Sequence, residues 1–183
     1  MSDRPRVICM GDARAPCLTL LLGGARSGKS RHAETLIEQL APPWRYIATA
    51  EPFDDEMRAR IAHHIDRRGA GWRTLEAPID LPGALAGQPE GEPVLVDCLT
   101  VWLTNVMLSG ADVAAATRRL IAVLQAPRGP WFIVANEVGL GIVPDNALAR
   151  RFRDEAGRLN QAVAAIAGRV LFLAAGLPLQ LKG

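Results

Sequence analysis

The sequence predicts an α/β fold in which helices cover both faces of a mostly parallel central sheet. Short, continuous apolar runs such as Val94-Leu95-Val96 are typical of strands that are buried on both faces, as in parallel sheets. Helical patterns separate most of these runs, as βαβ crossovers require. With 183 residues the chain is long enough for one domain with a substantial core and short for two.

The predicted elements alternate along the chain after an N-terminal extension over residues 1–16, which shows no periodicity. Residues 17–183 are predicted to form a single domain. The predicted strands cover residues 17–22, 44–49, 72–76, 94–97, 131–135 and 170–174. The predicted helices cover residues 30–40, 53–68, 111–125 and 146–167, and a turn-rich stretch over 78–93 holds one short helix.

Composition narrows the class of protein. Hydrophobic residues make up 49% and charged residues 22%, which is the balance of a soluble globular protein. The net charge of +2 gives no reason to expect a nucleic-acid partner. The cysteines, Cys9, Cys17 and Cys98, form no CxxC pair, so neither a zinc site nor a disulfide framework is indicated. No apolar stretch approaches the ~20 residues of a membrane span, and we expect a cytoplasmic protein.

The strongest motif follows the first predicted strand. Gly23, Gly28, Lys29 and Ser30 match the pattern G-x-x-x-x-G-K-[ST], with a buried strand before it and a helix after it. In such a Walker A loop, backbone N–H groups and the helix N-terminus hold phosphates. Lys29 would bridge the β- and γ-phosphates, and Ser30 would ligate Mg²⁺. The motif predicts a three-layer P-loop fold.

Asp97 ends the predicted strand over residues 94–97 and admits two interpretations. It fits a Walker B acid, which would hold Mg²⁺ or orient a nucleophile. An aspartate before Cys98-Leu99-Thr100 could equally cap the following helix or form a turn. The phosphate loop upstream favours the functional interpretation.

The type of P-loop protein is narrowed by what accompanies the loop. The chain contains no N/T-K-x-D motif, so a switch GTPase is disfavoured, and its size fits a small-molecule kinase best. His63 and His64 lie among arginines in the predicted helix over residues 53–68. A histidine kept neutral by neighbouring positive charge is nucleophilic, but spacing alone favours a solvated helix with incidental histidines. His32 is interpreted as a packing or hydrogen-bonding residue.

Several blocks in one order carry a more specific resemblance. From about residue 17 onward, the chain resembles the bifunctional adenosylcobinamide kinase/adenosylcobinamide-phosphate guanylyltransferases of cobalamin biosynthesis. The blocks are residues 23–31, 46–49 (Tyr-Ile-Ala-Thr), 55–57, 60–64, 72–76, 94–100, 136–144 (beginning Asn-Glu-Val-Gly) and 150–160. The chain departs from the family at residues 1–16, which have no counterpart, and at Gly69, where proline is frequent.

The resemblance implies two reactions. ATP or GTP would give its γ-phosphate to the aminopropanol hydroxyl of adenosylcobinamide. A histidine, here His64, would then take GMP from GTP and pass it to adenosylcobinamide phosphate. The resemblance also implies a homotrimer, and Mg²⁺ is expected from the phosphate loop and Asp97. Two alternatives stay open: a monofunctional P-loop kinase in which His64 is inert, and a non-catalytic nucleotide sensor.

The phosphate-loop motif, Asp97 and the resemblance together give a set of expected site residues. The expected catalytic residues are His64, Lys29 and Asp97, and the expected metal ligands are Ser30 and Asp97. The expected nucleotide-binding residues are Gly23, Gly24, Ala25, Arg26, Ser27, Gly28, Lys29, Ser30, Ala48, Thr49, Ala50, Ile65, Asp66, Arg67, Arg68, Glu76 and Asp97.

Overall fold

The structure is a computed structural model that describes residues 17–50 and 69–183. The predicted extension over residues 1–16 and the predicted helix over residues 53–68 lie outside the described residues. Both stay predictions.

The described residues form a seven-stranded sheet in the order β3-β2-β4-β5-β1-β6-β7. Its strands are β1 (Cys17–Gly23), β2 (Trp44–Ala48), β3 (Trp72–Glu76), β4 (Val94–Asp97), β5 (Pro130–Asn136), β6 (Arg169–Ala174) and β7 (Leu177–Lys182). All neighbouring strands are parallel except β6 and β7, which pair antiparallel. The predicted α/β fold with a mostly parallel sheet is confirmed.

Five helices lie in the described parts of the chain, and one of them was not predicted. They are α1 (Lys29–Ile37), α2 (Leu81–Ala86), α3 (Leu99–Leu108), α4 (Val113–Leu124) and α5 (Ala147–Ile166). Helix α3 escaped prediction because apolar residues lie on several of its sides, so its few polar residues do not reveal the helical period. It lies against β5, α4 and α5, and apolar residues on several sides suit that position.

The C-terminal strand β7 was also missed, because Pro178 argues against a strand interior. The strand occupies the edge of the sheet, where a proline is tolerated since one row of backbone groups has no strand to pair with. Ala175 and Gly176, with φ of 51° and 80°, turn the chain tightly from β6 into β7.

Alternation along the strands divides the core between two faces of the sheet. The packing face, represented by Leu20, Val96 and Ile133, is covered by α2 to α5 and holds the larger cluster of buried residues. The loop face, represented by Leu21, Leu95 and Val134, is covered among the described elements by α1.

The strand register aligns the positions that matter for a site. Glu76, Ala48 and Asp97 are paired in turn across β3, β2 and β4. The row continues through Val134 of β5 to Leu21 of β1. Because the strands are parallel, their carboxyl ends lie along one edge, where ligands of open α/β sheets bind.

Candidate active site at the carboxyl edge of the sheet

The predicted phosphate loop connects the end of β1 to the start of α1. Gly28 is the N-cap of α1, and no acidic side chain lies in the first turn of the helix. The helix therefore presents its free N–H groups and positive dipole end without a carboxylate to compete for them. The loop is tied to the β6–β7 turn, because Gly176 donates its N–H to the Ser27 carbonyl at 2.9 Å.

Two glycines of the loop have positions that a side chain would disturb. A Cβ on Gly23 would lie 2.4 Å from the Leu173 carbonyl oxygen. Gly28 has a φ of +93°, and a Cβ there would lie 3.2 Å from Gly176. Gly24, in contrast, has nothing within 4 Å of the position of an added Cβ. Close approach and backbone conformation thus explain the first and last glycines of the motif.

Lys29 folds back over the loop from the first position of α1. Its ammonium donates to the Gly24 carbonyl at 2.7 Å, and the residue is only 6% exposed. Burial lowers the pKa of Lys29 below its ordinary value, whereas the negative charge of Asp97 acts in the opposite direction. A positive charge held in this partly desolvated position is well placed for a phosphate group.

Asp97 ends β4 on the loop face, since Leu95 two residues earlier belongs to the same side. Only β5 separates β4 from β1, so about 10 Å separates these two strands. The Tyr46 hydroxyl donates to Asp97 Oδ2 at 3.2 Å. The capping interpretation finds no support, because Cys98 is the N-cap of α3 and no side chain caps that helix.

A buried polar network fixes the chain directly after Asp97. The hydroxyl of Thr49, a fully buried residue, donates to the Cys98 carbonyl and accepts from the Cys98 N–H, each at 2.8 Å. Asn105 of α3 donates to the Thr49 carbonyl at 2.8 Å. The Thr49 hydroxyl is therefore engaged with Cys98, and the nucleotide contact expected of Thr49 stays a prediction.

Cys98 itself is buried and belongs to the loop-face cluster. Burial, with a further contribution from the charge of Asp97, raises the pKa of the Cys98 thiol to about 11. The thiol is thus neutral at physiological pH and packs as a small apolar group. Burial and the positive charge of Arg169 lower the pKa of His32, which favours its neutral form on α1.

The remaining predicted site residues fall into two groups. Ala48 pairs with both Asp97 and Glu76, and Ala50 follows just beyond the end of β2. Glu76 is exposed at the end of β3, the strand at the opposite edge of the sheet from β7. The predicted site residues that lie outside the described residues are His64, Ile65, Asp66, Arg67 and Arg68.

Three polar residues at this edge were not singled out from the sequence. The backbone N–H of Asn136 donates to Thr100 Oγ1 at 2.6 Å. Its carbonyl accepts from Asn160 Nδ2 at 3.1 Å. The available signal was that Asn136, like Asp97, is a polar residue that ends an apolar strand.

Within residues 17–50 and 69–183, no group of three or more His, Cys, Asp and Glu side chains could hold a metal ion. No helix in the same residues is both long and apolar enough to cross a membrane.

Comparison with known proteins gives consistent relatives. The sequence model of one family, described as cobinamide kinase / cobinamide phosphate guanyltransferase, matches residues 19–181. The chain is 50% identical over 167 residues to bifunctional adenosylcobalamin biosynthesis protein CobP of Pseudomonas aeruginosa, covering 90% of this chain and 96% of the relative. It is 45% identical over 181 residues to bifunctional adenosylcobalamin biosynthesis protein CobU of Salmonella typhimurium, and 41% identical to that of Escherichia coli, covering 90% of this chain and 99% of each relative.

A likeness also exists among solved structures. The RadB recombinase aligns with a TM-score of 0.49 and 16% identity, over 86% of this chain and 74% of that one. The fold is defined by the strand order of the sheet.

Proposed function

This chain belongs to the cobinamide kinase / cobinamide phosphate guanyltransferase family, and from that membership we propose that it catalyses two successive transfers in cobalamin biosynthesis. In the first, the aminopropanol hydroxyl of adenosylcobinamide takes the γ-phosphate of ATP or GTP. In the second, GMP passes from GTP through His64 to the new phosphate, giving adenosylcobinamide-GDP.

The arrangement of Lys29 and Asp97 carries the proposal for the first transfer. The ammonium lies over the phosphate loop, and the carboxylate lies two strands away on the same face of the sheet. The acceptor oxygen attacks the γ-phosphorus and gives up its proton to water, the bond to the β–γ bridging oxygen breaks, and the nucleoside diphosphate leaves. Lys29 offsets the negative charge of the transferring phosphoryl group.

Mg²⁺ fits the chemistry of the residues present. Ser30 offers a hydroxyl in the first turn of α1, and Asp97 offers a carboxylate of which Tyr46 engages one oxygen. Such a pair of oxygen ligands suits an ion that retains waters and shares phosphate oxygens. Bound there, Mg²⁺ would neutralise negative charge on the nucleotide phosphates. The loop N–H groups over residues 23–30 hold the phosphates in place for attack.

The second transfer rests on family membership and on the chemistry of histidine. A neutral imidazole nitrogen of His64 attacks the α-phosphorus of GTP, and pyrophosphate leaves. A phosphate oxygen of the acceptor then attacks the phosphorus of the resulting phosphoramidate, the P–N bond breaks, and the His64 imidazole leaves. We propose that Ile65, Asp66, Arg67 and Arg68 accompany His64 at this nucleotide. Glu76 would accept hydrogen bonds from the N1 and N2 donors of guanine.

The roles within the β2 segment are refined by its contacts. We propose that Thr49 positions Asp97 through its two hydrogen bonds to Cys98, because its hydroxyl is buried and already engaged. Ala48 and Ala50, which have small side chains, would let a nucleotide approach the backbone at the end of β2.

Labelled GTP tests both transfers. With label at the γ-phosphate, adenosylcobinamide should become labelled. With label at the α-phosphate, wild type and His63→Ala should retain acid-labile label on the protein, and His64→Ala should retain none. Kinase activity without protein-bound label in any variant would leave a monofunctional kinase. Nucleotide binding with neither transfer would leave a sensor.

A homotrimer is a further part of the proposal. Large apolar residues stand exposed on β7 and before α5, including Leu177 (72% exposed) and Ile142 (97% exposed). Monomeric proteins seldom leave such groups uncovered in number. Light scattering after gel filtration should give three times the chain mass of 19.7 kDa, whereas a single-chain mass would contradict it.

A further inference from the structure

The end of β5 lies between the two halves of the proposed kinase site. The sheet order places β5 between β1, which leads into the phosphate loop, and β4, which ends at Asp97. Gly23 and Asn136 are register partners, and Val134 is the partner of Asp97. Asn136 therefore stands one strand from the phosphate loop and two residues further toward the carboxyl edge than the level of Asp97.

The side chain of Asn136 faces the phosphate-loop side of the sheet. Val134, two residues earlier, packs in the loop-face cluster, and Ala135 packs on the opposite face. By strand alternation Asn136 shares the side of Val134 and of Asp97. In the described parts of the chain its side-chain amide makes no hydrogen bond, so both the NH₂ group and the carbonyl oxygen are available.

Two other elements hold the backbone of Asn136 in place. Thr100 of α3 accepts from its N–H, and Asn160 of α5 donates to its carbonyl. Asn160 is a buried polar residue, 7% exposed, on a helix that otherwise faces the core with apolar groups. A free side chain on a main chain fixed from both sides is the arrangement of a preorganised ligand group.

The neighbouring residue Glu137 is a weaker candidate for the same task. Its carboxylate already accepts from the Gly139 N–H at 2.6 Å, and its own N–H donates to the Gly23 carbonyl at 3.0 Å. A carboxylate would also repel a phosphate, whereas a neutral amide can donate to one.

We propose that the side-chain amide of Asn136 donates a hydrogen bond to the γ-phosphate of the nucleotide on the phosphate loop. It is thus a further catalytic residue of phosphoryl transfer, and this inference rests on the proposed kinase function. A nucleoside triphosphate can accept this hydrogen bond, whereas a diphosphate lacks the γ-phosphate. The hydrogen bond strengthens in the transition state, in which charge is redistributed among the oxygens of the transferring group.

The test compares binding of GDP and of the β,γ-imido analogue of GTP, with Mg²⁺, in a His64→Ala background that cannot be guanylylated. Asn136→Ala should leave GDP affinity within about twofold. It should weaken the triphosphate analogue by about ten- to a hundredfold, as for a lost hydrogen bond to a charged group. Asn136→Asp should weaken the analogue further, because its charge repels the γ-phosphate.

Asn146→Ala is the matched control, since Asn146 is exposed and its side-chain oxygen caps α5 by accepting from the Ala149 N–H. It should leave the ratio of the two affinities unchanged. The proposal would be overturned if Asn136→Ala left the ratio of the GDP and triphosphate-analogue affinities unchanged, for example by weakening both equally. It would also be overturned if the parent protein with Asn136 bound the two nucleotides equally well. Failure of the kinase function would appear separately, as absent γ-phosphate transfer from labelled GTP by the wild-type protein.

Discussion

The two faces of the sheet are built from the same alternating strands but are used differently. On the packing face, α2 to α5 cover a broad apolar cluster, within which the buried Trp102 Nε1–H donates to the Ile79 carbonyl at 2.8 Å. On the loop face, Lys29 and Asp97 stand at the carboxyl edge beside α1. The difference teaches that one face of this sheet supplies stability, and we infer that the other supplies the chemistry.

Trp102→Ala breaks the packing face and should have the largest effect. The side chain is fully buried, and its loss should lower the free energy of unfolding by about 3–5 kcal/mol. Leu108→Ala, on the same helix but at a residue that is 67% exposed, should cost less than about 0.5 kcal/mol. Urea denaturation measures both. Equal losses of unfolding free energy in the two variants would contradict the assignment of stability to the packing face. Weaker nucleotide binding by folded Trp102→Ala would contradict it as well.

Lys29→Met breaks the loop face without disturbing the fold. The rate of γ-phosphate transfer should fall by about 10²–10³-fold, because a charge aimed at the transferring group is lost. The free energy of unfolding should not fall, since burial already disfavours the charged form of Lys29. Lys182→Met removes the other lysine of the chain, which bonds to carbonyls at the end of α5, and should keep the wild-type rate. A destabilised Lys29→Met with normal transfer would contradict this assignment.

Cys98 sharpens the comparison, because it is a buried packing group on the loop face. With its pKa raised from 9.0 to about 11, the thiol should react with iodoacetamide at pH 8 about a hundredfold more slowly than in urea-unfolded chain. Between pH 9 and about pH 11, the folded state keeps the proton of the Cys98 thiol, whereas the unfolded state loses it. Its contribution to stability is therefore complete below pH 9 and is lost as the pH rises toward 11. Mass mapping of the Cys98 peptide measures the rate, and equal rates in both states would refute its burial.

The smallest expected effects concern two glycines of the phosphate loop, Gly23 and Gly24. Gly23→Ala should impose about 1–3 kcal/mol of strain, because its Cβ would meet the Leu173 carbonyl, and nucleotide affinity should fall accordingly. Gly24→Ala should leave affinity nearly unchanged, since its Cβ would enter open space. Calorimetric titration with GDP measures both. The reverse order would mean that the loop adopts another backbone when it binds phosphate.

The comparison also explains which parts of the site were predictable. The phosphate loop was predictable, because its glycines, Lys29 and Ser30 lie within a few consecutive residues and form a local pattern. Asp97 was left between two roles, and only the position of Cys98 as the N-cap of α3 removed the capping alternative. The role of Thr49 could not be read from the sequence, because its hydrogen bonds reach a residue 49 positions away.

The sequence by itself determined the fold class, the phosphate loop and the family, since each is written in short-range pattern or in ordered blocks. Helix α3 and strand β7 depend on tertiary context. Helix α3 shows no clear helical periodicity because several of its sides are buried, and β7 tolerates Pro178 because it lies at the edge of the sheet. Strand order likewise set Asn136 beside Gly23, over a hundred residues earlier in the chain. Such strand pairings depend on how whole elements bury their apolar surfaces against one another. A short stretch of sequence does not hold that information.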